Sequence, residues 1–285
     1  MDQRLLLMHQ AMLSDRRRID AYDRALERTV RPGDVVADVG AGMLVLSMLA
    51  LRHGAKHVFA IEADPATAAV ASAIAERNDL KGRLTLIQGA AHKVRLPVQA
   101  DVVVAEMMGN LGPEEQMMTV LGTFARRNLR PGGHVIPRTL VTRLTAIEFD
   151  DEGWGIWDED YHGYQLDVVQ EHVQPRAQLH FFQRPPMLLT KPTAVTEGKS
   201  RTLTVTRPGR LHAIAGYFES TLAPGVSLSN FPSYPGCNWA VWIWPLRHTD
   251  VAVGDALRVK IRPSENERLV TDWTLECGLR RKAAA

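Results

Sequence analysis

From Leu6 the apolar residues fall at roughly helical intervals (Leu6, Met12, Leu13, Ile19, Tyr22, Leu26), which predicts one amphipathic N-terminal helix ending near Arg31-Pro32-Gly33. Asp34-Val35-Val36-Ala37-Asp38-Val39 then forms a near-continuous apolar run that closes on Gly40-Ala41-Gly42, the pattern of a buried strand and a tight turn. A helical stretch to His53 and a second run, Val58-Phe59-Ala60-Ile61, complete a βαβ unit. The alternation continues with a helix from Pro65 to about Arg77 and strands at Leu84-Thr85-Leu86-Ile87 and Val102-Val103-Val104-Ala105. A helix from Glu114 to Leu129 and a turn at Pro131-Gly132-Gly133 follow. This predicts an α/β architecture built on a Rossmann-like, doubly wound parallel sheet.

After Val135-Ile136-Pro137 the period changes to apolar/polar alternation, as in Arg201-Thr202-Leu203-Thr204-Val205, Ala240-Val241-Trp242-Ile243-Trp244 and Ala256-Leu257-Arg258-Val259-Lys260-Ile261. Half-buried antiparallel strands read this way, so an antiparallel β-sandwich or barrel-like domain is expected. The expected division is a covering helix over 1–30, the parallel-sheet domain over 31–137 and the β domain over 138–285. At 285 residues two domains are the default.

Composition adds exclusions. A net charge of +2 is too mild for a nucleic-acid surface, with Arg16-Arg17-Arg18 as the one candidate cluster. Cys237 and Cys277 lie far apart without metal-ligand spacing, and His53 and His57 straddle Gly54-Ala55-Lys56, so no metal is expected. Cysteine usage fits a reducing compartment, and no stretch has the form of a signal peptide or membrane span; a soluble, cytoplasmic protein is expected.

In a doubly wound sheet ligands bind beyond the carboxyl ends of the strands, which directs attention to Asp38-Val39-Gly40-Ala41-Gly42. Glu62, at the end of the second strand, is placed to accept hydrogen bonds from ribose hydroxyls, so an adenosine cofactor is indicated. Val45 stands where a dinucleotide site wants a small residue under the pyrophosphate, which disfavours NAD. S-adenosylmethionine carries instead an amino-acid carboxylate and a cationic sulfonium. Arg18 and Glu106 have the charges to meet both. Glu106 opens the loop Glu106-Met107-Met108-Gly109-Asn110-Leu111-Gly112-Pro113-Glu114-Glu115, in which two carboxylates bracket a Gly/Pro turn. Such a pair suits a planar guanidinium, although Pro113-Glu114-Glu115 also reads as a helix start with acids in its first turn.

These residues resemble the protein arginine N-methyltransferase family. His9-Gln10-Ala11-Met12-Leu13-Ser14-Asp15-Arg16-Arg17-Arg18 is similar to its N-terminal helix, Gly40-Ala41-Gly42 to its glycine motif, Ile61-Glu62 to its ribose acid, and Glu106 through Glu115 to its "double-E" loop. The chain is identified as a divergent member, with a bacterial origin expected. The resemblance implies S-adenosylmethionine as cofactor, held by His9, Arg18, Asp38, Gly40, Gly42, Glu62, Ala91, His92 and Glu106. It also implies Glu106 and Glu115 as catalytic acids, with Met12, Asn238 and Trp239 facing the substrate. A homodimer is implied too, through an arm over about 154–183.

Departures accompany it. Leu44 takes the third glycine position and His92 that of an acid. Asn238 replaces a loop histidine that in the family pairs with the acid matching Asp15, so an Asp15–Asn238 hydrogen bond is expected instead. The expected activity is guanidino N-methylation, leaning to free arginine or an arginine-derived metabolite or peptide. The alternatives are an arginine in a protein, another nucleophile, or cofactor binding without catalysis.

Overall fold

The computed structural model describes residues 3–149, 153–262 and 273–283. The N-terminal region differs from the expected single helix: α1 (Gln3–Ser14) and α2 (Arg16–Thr29) are separated at Asp15. Asp15 turns its carboxylate onto the amide of Arg18 at 3.1 Å and caps α2. The apolar period runs through the break, so periodicity alone misses it. Helix α2 buries Ala21, Tyr22, Ala25 and Leu26, whereas α1 buries no residue.

Five parallel strands follow: β1 (Val35–Val39), β2 (His57–Glu62), β3 (Leu84–Gln88), β4 (Ala100–Ala105) and β5 (Leu129–Ile136), in the order β3-β2-β1-β4-β5. Helices α3 (Val45–Arg52), α4 (Pro65–Arg77) and α5 (Met117–Asn128) make the crossovers. Chain order reverses between β1 and β4, whose register pairs Val39 with Ala105. The glycine turn after β1 and the acidic loop after β4 therefore leave the sheet side by side, at the position where such folds bind ligands.

The acidic loop also departs from expectation. Pro113–Glu115 is a single 3-10 turn, Gln116 takes a left-handed φ of 53°, and α5 begins only at Met117. The two acids thus precede a break and are not the first turn of the long helix.

Beyond β6 (Thr139–Glu148) lie the long strands Gly209–Ala223 and Val241–Val251, in a seven-stranded antiparallel sheet. One face, with Trp242 and Trp244, packs against a three-stranded sheet of Arg201–Thr204, Ala256–Arg262 and Thr274–Arg280. Its other face carries Ala213, Tyr217 and Ile243 under Phe149 and Phe182. Residues 154–183 lie over that face: Trp154 stacks on Phe149 at 4.1 Å, and Asp158 bonds Arg210 at 2.7 Å and His248 at 2.8 Å. Tyr164, Val168 and Phe181 in this stretch remain exposed. Among the described residues, no helix is long and apolar enough to cross a membrane.

Candidate active site

Arg18, on the first turn of α2, is almost fully buried. Its Nη1 donates to Glu106 Oε2 at 2.9 Å, its Nε stands 3.7 Å from Asp15 Oδ2, and its Cζ lies 3.3 Å from the centre of the Trp239 ring. Nε is buried without a hydrogen-bond partner, a donor held ready for an acceptor. Glu106 Oε1 accepts the Met108 amide at 3.1 Å, so both carboxylate oxygens are fixed. Burial pushes the Glu106 pKa up, and Arg18 opposes that shift.

The loop after β4 is tethered along its length by side chains remote in sequence. Tyr22 Oη donates to the Ala105 carbonyl at 2.9 Å, Trp239 Nε1 to the Met108 carbonyl at 2.8 Å, and Thr142 Oγ1 to the Leu111 carbonyl at 3.0 Å. The fully buried Asn230 donates to the carbonyls of Asn110 and Ala240, each at 2.7 Å, and accepts the Phe218 amide at 3.0 Å. Trp242 Nε1 donates to Glu114 Oε1 at 2.9 Å, and the Leu111 amide donates to the same oxygen. Glu114 Oε2 is buried without a partner, and burial pushes this pKa up as well. Gly109 faces Glu114 so closely that a Cβ there would collide with its carboxylate.

Glu115 is exposed, unlike its neighbour. Its pKa is raised by the protein packed around it and then by the charges of Glu106 and Glu114, with Arg18 opposing. Its open surface lets water screen part of that repulsion. Glu106 and Glu115 thus stand at the two ends of the loop, one acid fixed and the other facing solvent, with the charge of Glu106 felt at Glu115.

On the β1 side, Gly40 and Gly42 take φ of 75° and 50°. A Cβ on Gly40 would lie 3.0 Å from Met107 Sδ, and one on Gly42 would lie 3.2 Å from the His9 ring, so close approach as well as backbone conformation requires glycine. Glu62 Oε2 accepts the Gly42 amide and its Oε1 the Asp64 amide, both at 2.9 Å, which aims this carboxylate at the turn. Asp38 is buried with Oδ2 on Ser47 Oγ at 2.7 Å and Oδ1 unpartnered, and burial raises its pKa to about 6. Leu44, at the third glycine position, keeps a left-handed φ of 64° while its side chain is wholly buried against Ala41, Ala60 and Ala71.

A cleft partly open to solvent is lined by His9, Met12, Arg18, Gly40, Gly42 and Glu106 among others. These six expected residues come together, and Glu62 stands behind Gly42. Ala91 and His92 do not line the cleft: they sit in the 3-10 turn Ala91–Lys93, where the His92 side chain is exposed and its carbonyl accepts Arg127 Nη1. Trp239 is buried, its face on Arg18 and its Nε1 on the loop, rather than opening onto a groove.

Asn238 approaches Asp15 Oδ2 through its backbone amide, at 3.4 Å. The side-chain contact expected of Asn238 is made by Tyr234, whose Oη lies 3.0 and 3.2 Å from the two Asp15 oxygens. Sequence reasoning missed the roles of Tyr22, Asn230, Tyr234 and Trp242, which act across the fold, and that of Glu114, which sits in the acidic loop but bonds Trp242 128 positions away. Elsewhere, His53 bonds Asp23 and His57 bonds Thr85. Among the described residues, no group of three or more His, Cys, Asp or Glu side chains has the arrangement of a metal site.

A parallel sheet with a glycine turn after β1, an acid at the end of β2 and a paired arginine and glutamate beside β4 defines a methyltransferase of the Rossmann-like class. The family model of ribosomal protein L11 methyltransferase matches residues 24–138. The chain is 27% identical over 293 residues to protein arginine N-methyltransferase 8-B of Danio rerio, covering 94% of this chain and 70% of that one. It is 30% identical over 267 residues to the probable histone-arginine methyltransferase 1.4 of Arabidopsis thaliana, covering 83% of this chain and half (50%) of that one. The crystal structure of Arabidopsis thaliana protein arginine methyltransferase 10 superposes with a TM-score of 0.77 at 25% identity, covering 96% of this chain and 93% of that one. Over most of its length the chain is thus similar to protein arginine N-methyltransferases.

Proposed function

We propose that this chain methylates a guanidinium nitrogen of arginine carried in a protein, with S-adenosylmethionine as methyl donor. The observation that carries the reading is Glu106 in the cleft wall, locked by Arg18 and the Met108 amide, with Glu115 closing the same loop and open to solvent. When bound, the cofactor supplies a methyl group on a sulfonium, which departs as a neutral thioether. The residues fit it. The unpartnered Nε of Arg18 suits the amino-acid carboxylate, Glu62 suits the ribose, and the glycines leave room for close backbone approach.

A guanidinium is planar and protonated at any ordinary pH, so its nitrogens are poor nucleophiles. Glu106 and Glu115, each accepting charge-assisted hydrogen bonds, draw positive charge toward the gripped nitrogens and leave electron density on the one facing the methyl group. That nitrogen forms the new C–N bond as the C–S bond breaks. Its proton passes to Glu115, the solvent-facing acid, while Glu106 stays as anchor. The two titrate as a coupled pair.

The sequence alone leans to free arginine. Similarity to relatives named for protein and histone arginine favours a protein-borne side chain, and the open side of Glu115 is consistent with a guanidinium arriving on a chain. Incubating enzyme and labelled cofactor with free arginine and, separately, with an arginine-rich basic protein tests this: label is expected in the protein, and label confined to free arginine contradicts it.

We further infer a homodimer formed through residues 154–183, whose exposed Tyr164, Val168 and Phe181 make an apolar surface that suits a partner. Light scattering at micromolar protein is expected to give twice the chain mass; a monomer contradicts this.

A further inference from the structure

The segment 231–239 reaches from the β domain to the break between α1 and α2, gripping it at two points: Trp239 under Arg18 and Tyr234 on Asp15. Asp15 has no exposed surface. Its carboxylate takes the Arg18 amide at 3.1 Å within its own helix. The donors from outside are the Tyr234 hydroxyl at 3.0 Å and the more distant Asn238 amide at 3.4 Å. A buried carboxylate that loses a donor bears an uncompensated desolvation cost, so this hydroxyl matters more than a surface hydrogen bond would. The Tyr234 ring is itself held by Arg17, whose Cζ lies 4.5 Å from the ring centre.

Helix α1 needs such a hold. It buries none of its own residues, yet it supplies His9 and Met12 to the cleft wall. Its position therefore depends on the geometry at Asp15. The same residue shapes the first turn of α2, where Arg18 sits.

We propose that Tyr234 is a positioning residue that latches the α1–α2 break to the β domain and thereby sets how tightly the cleft retains its cofactor. This rests on the reading above that the cleft holds S-adenosylmethionine. The latch also explains how Asn238 can stand beside Asp15 without a side-chain bond to it: the tyrosine hydroxyl has taken that contact.

Tyr234→Phe in the full chain removes the hydroxyl and keeps the ring over which Arg17 lies. The expected result is a roughly tenfold rise in the Kd for S-adenosylhomocysteine by calorimetry, about 1.4 kcal/mol. The cofactor KM should rise by more than kcat falls, and amide exchange should quicken within residues 3–14 while the parallel sheet keeps its protection. A Kd within twofold of the parent with unchanged exchange in α1 overturns the proposal. Asp15→Asn provides a second route: the double variant should lose little more affinity than either single one, and additive losses contradict the coupling. If the parent chain itself fails to bind S-adenosylhomocysteine, the cofactor reading fails, and the latch then stands or falls on the exchange of residues 3–14 in the two variants.

Discussion

The guanidinium carbon of Arg18 lies 3.3 Å from the centre of the Trp239 ring, and the same indole donates its Nε1 to the carbonyl of Met108 at 2.8 Å. One aromatic side chain thus supports the cation on its face and holds the acidic loop at its edge. Cation–π contacts in desolvated settings contribute about 2 kcal/mol, so the ring helps place a buried charge as well as filling space.

Trp239→Phe separates the two roles, because it keeps an aromatic face but removes the donor to Met108. The expected outcome is a folded protein less stable by about 1–3 kcal/mol, the cost of an unsatisfied buried carbonyl. Turnover should fall further than cofactor affinity, since the loop carrying Glu106 loses a tether while Arg18 keeps a platform. Chemical denaturation and a kcat against KM comparison check both.

Glu114 is a loop clamp, and this separates it from Glu115 next to it. Glu114→Gln retains an acceptor oxygen for Trp242 and the Leu111 amide and places an NH2 where Oε2 has no partner. Its thermal stability should hold or rise, whereas Glu114→Ala should lose about 1–3 kcal/mol through the stranded Trp242 and Leu111 donors. Equal stability of the two variants would show that Glu114 does not clamp the loop.

Asp38 links pH to stability. Its pKa in the folded chain is raised to about 6, so the native state holds a proton that the unfolded chain releases near pH 4. The sign follows: the contribution is fully present below about pH 4 and is lost as pH rises through about 6, on the order of 3 kcal/mol in all. In Asp38→Asn the fall in stability across that window should flatten. Urea denaturation from pH 4 to 7 without cofactor measures it, and an unchanged slope contradicts the assignment.

Leu44 holds a left-handed backbone at the head of α3 with its side chain fully buried. Leu44→Gly relieves about 1 kcal/mol of backbone strain but forfeits about 3 kcal/mol of burial and packing. A net loss of about 2 kcal/mol is expected in denaturant titration. A stabilised variant would show that strain outweighs packing at this position.

The strands β1 to β4 and helix α4 were legible because each couples a clear period to a turn residue at its end, as Val35–Val39 does with Gly40. The break at Asp15 was not, since the apolar spacing continues across it and only the carboxylate's bond to Arg18 reveals the cap. In the site, Arg18, Gly40, Gly42 and Glu106 were readable from local motifs. Trp242 and Tyr234 act on residues 128 and 219 positions away, a relationship that spacing cannot encode. For His92 the motif position fixes the residue's place along the chain but not the direction of its side chain, which in this structure turns to solvent.

On the proposed function, Glu106 and Glu115 together activate a protein-borne guanidinium beside a bound methyl donor. Methyl transfer to an arginine-rich protein by the parent chain and by Glu115→Gln, with S-adenosylhomocysteine binding followed in parallel, tests this pairing. A fall in kcat of about a hundredfold or more is expected with cofactor affinity nearly unchanged, the scale of removing a transition-state electrostatic contact. Turnover by Glu115→Gln at the parent's rate would contradict it.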